Sequence, residues 1–267
     1  MRFLLTNDDG ISSPGLAAIV EVMKHYGEVF VVCPDQDKSA VGHSITFRDP
    51  LKVQETTVFG NDVKAWTVNG TPADCVKIAL EVLVPNKIDF VVSGMNIGSN
   101  IGRDSYYSGT IAGAREASFF GIPAVAVSLD ILNAQHTDFS SSKKLFARVM
   151  GTILKNQFPS NLLLNINIPY TVEEQCKGIK FAELDYSIKR YKHIEVSDSS
   201  GLFIYRLKEN QHQHTSDNPI GDFTLLEKDY ITITPLGVQL TDQSYKREVE
   251  HWFNENHAVY EESYQWM

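Results

Sequence analysis

Along the first two-thirds of the chain, short apolar runs alternate with stretches whose apolar positions recur every three or four residues. Residues 3–5 form such a run and predict a buried strand. After a polar loop, Ser13-Pro14 supplies an N-cap with proline at the first helical position. Leu16, Ile19, Val20 and Met23 then return at helical spacing, and Gly27 is the expected stop. Residues 29–33 predict a second buried strand. Residues 51–59 and 63–68, on either side of Gly60-Asn61, predict a hairpin inserted into the alternation. The series continues with a helix from Thr71-Pro72 to about Leu83, a strand over 89–92, and a helix over 110–120 closed by Gly121. A strand over 124–129, a helix over 142–155 and a strand over 162–168 complete it.

Continuous β-branched runs separated by helices are the mark of a parallel sheet covered on both faces. The expected fold class is therefore α/β, a three-layer core with a mostly parallel sheet over about residues 1–177. After Gly178 the texture changes. Strand-like pieces at 180–185, 191–196 and 202–207 suggest hairpins, with 197–201 as a turn, and 230–234 is one more strand. The tail from 244 to 267 is rich in Tyr, Trp and Glu. Without an internal repeat or a clear linker, residues 1–267 read as a single α/β domain with a β-rich extension from about 178 to 267.

The residues with chemistry to offer fall at the carboxyl ends of the strands, where open parallel sheets bind ligands. Strand one runs into Thr6-Asn7-Asp8-Asp9-Gly10, and strand two into Cys33-Pro34-Asp35 and on to Ser39. The strand ending at Val92 leads into Ser93-Gly94-Met95-Asn96-Ile97-Gly98. Adjacent carboxylates after a buried strand repel each other unless a cation neutralises them. A hydroxyl and an amide oxygen would complete a hard, all-oxygen shell suited to Mg²⁺, Mn²⁺ or Ca²⁺ rather than zinc. An isolated Asp-Asp-Gly is more often an Asx-turn with a capping acid. Its place on the first strand of a doubly wound core, facing a Gly-rich Asn loop, favours the cation.

Ser108-Gly109-Thr110 opens a helix, so it reads either as an ordinary N-cap or as a cradle for an anion. Residues 69–75, Asn-Gly-Thr-Pro-Ala-Asp-Cys, read locally as a tight turn with a threonine cap. A cation site and an anion cradle at one sheet edge are what phosphoryl chemistry needs.

Composition narrows the field. A formal net charge of −9 argues against a nucleic-acid polymer as partner, since phosphate backbones are held by clustered Lys and Arg. Cys33, Cys75 and Cys176 lie far apart and include no C-x-x-C pair, which fits reduced thiols rather than a zinc site or a disulfide framework. The chain passes directly from Met1 into a strand and holds no apolar stretch of membrane-spanning length. The expectation is a cytoplasmic protein with no membrane partner.

These segments resemble the SurE (survival protein E) nucleotidases. The matching stretches are residues 4–11, Pro34-Asp35 through Ser39, 68–76, 91–102, 107–111 and 231–236, in that order. The resemblance implies a Rossmann-like core, one divalent cation per subunit and hydrolysis of nucleoside 5′-monophosphates, with 3′-nucleotides and short polyphosphate as further substrates. It also implies a homodimer or tetramer with exchanged C-terminal arms. Carried over by motif position, Asp8, Asp9, Ser39 and Asn96 are the metal ligands, with Mg²⁺ or Mn²⁺ as the expected cation. Asn96, Ser108, Gly109 and Thr110 are the expected phosphate contacts; in metal-assisted hydrolysis Asp8 and Asp9 would be the catalytic acids, and of the two we choose Asp8 as the assisting base. The chain departs from the family pattern at Lys38-Ser39-Ala40, at Ser105 and at Gly221-Asp222, which bears on loop geometry and substrate preference. Two rival readings are a receiver-like signalling module, which needs a phospho-accepting Asp and a later Lys that the strand ends do not offer, and a nucleotide-binding protein without catalysis.

Overall fold

The computed structural model of the chain describes residues 1–131, 138–196, 203–209 and 216–255. They divide into two compact units, Met1–Leu236 and Gly237–Met267.

In the larger unit, strands β1 (Arg2–Thr6), β2 (Glu28–Pro34), β3 (Val53–Thr56), β4 (Lys64–Val68), β5 (Phe90–Ile97), β6 (Ala124–Asp130) and β7 (Leu163–Pro169) share one sheet with β8 (Ile179–Phe181) and β11 (Ile231–Pro235). The order is β3-β4-β2-β1-β5-β6-β7-β11-β8. From β4 to β7 every pairing is parallel, and β3 and β11 run antiparallel to their neighbours β4 and β7. A separate two-stranded sheet is formed by β9 (Tyr191–Val196) and β10 (Ile204–Glu209).

Helices cover both faces, as the unbroken apolar strands require. On one face α1 (Pro14–Met23) packs against β1 and β5, and α4 (Ser140–Ile153) against β7 and α1. Leu145, Phe146, Val149 and Met150 form the buried stripe of α4. Fully buried Phe146 belongs to the same core as Phe3, Leu5, Val31 and Val92, and truncating such a side chain to alanine costs about 3–5 kcal/mol. On the other face α2 (Pro72–Ile78), continued by a π-helical turn (Ala79–Leu83), packs on β2 and on α3 (Gly109–Phe119). A fifth helix, α5 (Asp222–Leu226), lies on β11 and β7. The smaller unit contains α6 (Gln243–Glu255).

The sequence periodicity therefore predicts the layers of the core well, with some differences; the stretch after Gly178, expected to be β-rich, also holds the helices α5 and α6. Ser93 to Ile97 was expected to be loop but continues β5, because it goes on pairing with β6 across an irregularity between Gly94 and Asn96. The piece expected over 180–185 as part of a hairpin is β8, which pairs parallel with β11 at the sheet edge. Gly27 does not cap α1, which ends at Met23; a Cβ there would sit 2.1 Å from the Met1 carbonyl oxygen, so close backbone approach is what requires glycine. The turn expected over 197–201 lies outside the described residues.

Candidate active site

Neighbours β2 and β5 flank β1, and the chain leaves β1 through α1 toward β2, so the β1/β5 boundary is where the winding reverses. Ligands in open α/β sheets bind in the crevice beyond such a boundary. Asp8 and Asp9 follow β1 directly, and Asn96 stands near the end of β5, so the topology alone brings them to one edge. Thr6 is paired with Ser93, which fixes the relative advance of the two strands.

Hydrogen bonds then tie the loops together. The Asp8 carbonyl accepts the Lys38 N–H at 2.8 Å, bringing the Ser39 loop against the acidic pair. Asp9 Oδ2 is 3.4 Å from the Ile97 N–H, one residue past Asn96. Ser39 is exposed, and its own N–H donates to Asp37 Oδ1 at 2.6 Å. Asn96 spends its amide N–H on the Gly98 carbonyl at 2.7 Å, which leaves Oδ1 as the end that can ligate. These contacts bring the segments that carry Ser39 and Asn96 against the acidic pair.

The expected phosphate contacts have more specific occupations. Ser108 caps α3, its hydroxyl accepting the Ile111 N–H at 3.1 Å. Thr110, fully buried, donates its hydroxyl to Asp8 Oδ1 at 2.5 Å. Gly109 is where α3 comes closest to the acidic loop: a Cβ there would lie 2.8 Å from Asp8 Cβ and 3.0 Å from Asp8 Oδ2. The start of α3 and the Asp8 carboxylate are therefore in direct contact, with no room between them for another side chain.

Electrostatically the pair is uncomfortable on its own. Burial lifts the Asp8 carboxyl to about 6, against hydrogen bonds from Thr110 that favour the charged form. Asp9 is lifted to about 7, first by burial and then by the charge of Asp8. Neither carboxylate has a Lys, Arg or His ion-pair partner among the described residues. Two buried acids without a cation are what a divalent ion stabilises. No three His, Cys, Asp or Glu side chains gather into a metal-binding group among the described residues. A shell built on this pair would have to be completed by neutral oxygens, the kind of donor that Ser39 and Asn96 carry.

Other polar anchors near the site were not legible in the sequence. The Asn100 carbonyl accepts from Asn165 and Asn167 of β7 at 2.7 and 3.2 Å, and its side chain donates to Ser128 of β6 at 2.8 Å. Asp222, fully buried, accepts the N–H groups of Gly102, Asp185 and Phe223 at 2.7, 3.0 and 2.9 Å. Burial raises the Asp222 carboxyl, and these three donors oppose that rise. The acid that departs from the family pattern by losing its neighbouring threonine thus staples the loop after β5 to the segment after β8. Its position beside a strand was a weak signal; its partners, 120 and 37 residues away, left none.

Comparison with known proteins bears on the family and the fold. The family model described as survival protein SurE matches residues 3–191. A protein named 5′-nucleotidase SurE from Carboxydothermus hydrogenoformans is 39% identical over 256 residues, 94% of this chain and 96% of that one. One of the same name from Syntrophomonas wolfei is 40% identical over 245 residues, 91% and 90% of the two chains. The crystal structure of a SurE protein from Aquifex aeolicus superposes with a TM-score of 0.81 at 34% identity, covering 94% of this chain and 99% of its own.

Proposed function

The chain belongs to the SurE family, and from that premise we propose that the site at the β1/β5 edge is a divalent-metal-dependent 5′-nucleotidase, a phosphoric monoester hydrolase. The observation that carries the reading is the pair Asp8 and Asp9: two carboxylates lifted by burial, without a basic ion-pair partner among the described residues, with Asp8 in contact with the first turn of a helix. A phosphatase needs a cation and an anion-binding surface within a few ångströms of each other, and an acidic pair beside a helix start supports that reading. The signalling reading finds no support among relatives named as nucleotidases.

Asp8, Asp9, Ser39 and Asn96 would hold the cation, one per subunit, with Mg²⁺ or Mn²⁺ the natural fit to four hard oxygens. When bound, such an ion polarises a phosphoryl oxygen and lowers the pKa of water. The chain's own residues do the rest. Thr110 holds Oδ1 of Asp8 by its hydroxyl, which fixes the carboxylate, and Asp8 is the acid we assign to take a proton from the attacking water. Asn96 and the first turn of α3, from Ser108 to Thr110, receive the phosphoryl oxygens, the helix dipole favouring the charge that builds there. With Thr110 already committed to Asp8, its backbone and that of Gly109 are the closer contacts for phosphate, and its hydroxyl acts through the acid.

The assembly we infer is a homodimer or tetramer with exchanged C-terminal arms. Supporting it, β9 and β10 form a two-stranded ribbon apart from the main sheet, with Tyr191, Phe203, Tyr205 and Leu207 exposed. Such a ribbon is marginal in water by itself and becomes stable when a second subunit covers it. Helix α6 carries Tyr245, Val249, Trp252 and Phe253 at helical spacing, all exposed. No helix of the described residues is long and apolar enough to cross a membrane.

The substrate reading is decided by measuring phosphate release from nucleoside 5′-monophosphates, their 3′ isomers and short polyphosphate with Mn²⁺ present. Release fastest from the 5′ series is expected. Release from none of them would refute the assignment.

A further inference from the structure

Residues 69–75, between β4 and the first turn of α2, have no part in the chemistry above, yet they meet the loop that does. That loop, residues 35–52, carries Ser39 from β2 to β3 across α2 and α3. It has no regular structure of its own, and it turns through Ala40 and Gly42 at φ 57° and 59°. Left-handed backbone at a non-glycine residue persists only where surrounding contacts impose it.

Just beyond that turn the loop is anchored by two buried acids on neighbouring helices. Glu116 of α3 places Oε2 2.8 Å from His43 Nε2, and the imidazole stacks on Phe119 with centroids 5.5 Å apart and planes 9° from parallel. Asp74 of α2 accepts both the N–H and the hydroxyl of Thr46, at 3.0 and 2.7 Å. Thr71 donates its hydroxyl to the Ser44 carbonyl at 2.7 Å. Asp74 is 3% exposed and Glu116 9%. Asp74 also closes a capping box with Thr71, which accounts for its bond to the Thr71 N–H at 2.9 Å. A capping box asks nothing of Thr46, 28 residues away. Closer to the site, backbone hydrogen bonds tie the loop to the rest of the chain, Lys38 to Asp8 and Gly42 to Tyr107.

We propose that Asp74 and Glu116 are positioning residues: they clasp the 43–46 segment to α2 and α3 and thereby hold Ser39 beside Asp8 in the geometry a cation needs. The inference rests on Ser39 being a ligand of that cation. Outer-sphere groups that orient ligands commonly change metal affinity about 10- to 100-fold when removed. The clasp acts through Ser39, so its effect disappears once Ser39 has no ligating oxygen.

The experiment is a Mn²⁺ titration of the full-length, metal-free protein by calorimetry, with amide hydrogen exchange of residues 39–46 on the same samples. Asp74→Asn and Glu116→Ala should each weaken Mn²⁺ by roughly 10-fold and speed exchange in the loop. In a Ser39→Ala background the same changes should weaken it no further than about 2-fold, because coupled residues fail to add. If Asp74→Asn does not fold, Thr46→Val removes one hydroxyl from the same clasp and should act in the same direction. Native affinity in Asp74→Asn and Glu116→Ala, with Ser39→Ala weakened, would overturn the clasp alone. A full further 10-fold loss in the double variants would also overturn it, since the acids would then act elsewhere. Native affinity in Ser39→Ala would overturn the ligand assignment itself, and the clasp with it.

Discussion

Replacing Gly109 with alanine adds one methyl group at the point where α3 touches the acidic loop. That methyl would sit 2.8 Å from Asp8 Cβ, 3.0 Å from Asp8 Oδ2 and 3.2 Å from Pro72 Cγ, whereas ordinary contact begins at 3.4 Å. Something must give by about 0.6 Å, and the rigid neighbours on the helix side are Pro72 and the α3 backbone, so Asp8 moves. Catalytic constellations tolerate about 0.5 Å, and a misplacement near 1 Å costs on the order of 100-fold. We expect kcat/KM to fall about 100-fold, equivalent to roughly 2.7 kcal/mol of lost transition-state stabilisation. Overpacking costs about 1–3 kcal/mol of stability, against which alanine returns up to ~1 kcal/mol in helix propensity, so the variant should fold. Gly113→Ala is the control. One turn further along α3, its methyl would crowd Ser93 Oγ at 2.9 Å and Thr6 Cγ2 at 3.0 Å without meeting Asp8. The assay is steady-state hydrolysis of a nucleoside 5′-monophosphate beside thermal melts of both variants. Gly109→Ala within about threefold of the parent rate would refute the reasoning, as would equal losses in both variants.

Thr110→Val keeps the shape of the side chain and removes the hydroxyl bonded to Asp8. A hydrogen bond to a charged group contributes about 1.5–3 kcal/mol, so kcat/KM should drop between about 10- and 100-fold, checked by the same steady-state assay. In metal-free protein Asp8 and Asp9 titrate near 6 and 7 rather than 3.8. The native state therefore binds more protons than the unfolded chain between about pH 4 and 7, and its stability falls as pH rises through that window. Melts of metal-free protein at pH 5 and pH 8 should show the lower midpoint at pH 8, with Mn²⁺ raising the midpoint more at pH 8; equal midpoints would contradict the burial of these acids. Ending the chain near Leu240 removes α6, and light scattering should report a smaller assembly than for the full chain; an unchanged assembly would show that the tail does not hold it.

Much of this was legible in the sequence, for reasons that can be named. Strands such as Val29 to Cys33 are buried on both faces and therefore unbroken, and α1 announces itself by Ser13-Pro14 and its apolar spacing. The acidic pair stood out because two adjacent carboxylates after a buried strand need an external charge. What remained hidden is long-range pairing. Nothing local tells Thr110 apart from an ordinary first-turn residue, yet its hydroxyl lies on an acid 102 positions away. Ser93 to Ile97 looked like a Gly-containing loop because the strand's irregularity removes the alternation that periodicity detects. Strand β8 read as half of a hairpin because a short edge strand carries no sign of which partner it will find, and that partner, β11, lies 52 residues further along. Asp74 was readable as a cap, and it is one; its second task depends on Thr46, which only the folded chain brings near.

The central claim is that Asp8, Asp9, Ser39 and Asn96 form a cation site on which hydrolysis depends. It is met most directly by stripping the protein with EDTA and measuring hydrolysis of a nucleoside 5′-monophosphate as Mn²⁺ or Mg²⁺ is added back, in the parent and in Asp9→Asn. Activity in the parent should vanish on stripping and return with the ion. Asp9→Asn should fold, melt higher than the parent without metal because a buried charge is gone, and recover little activity at any Mn²⁺ concentration. Full hydrolysis by the metal-free parent, or by Asp9→Asn at the parent's Mn²⁺ requirement, would contradict the account.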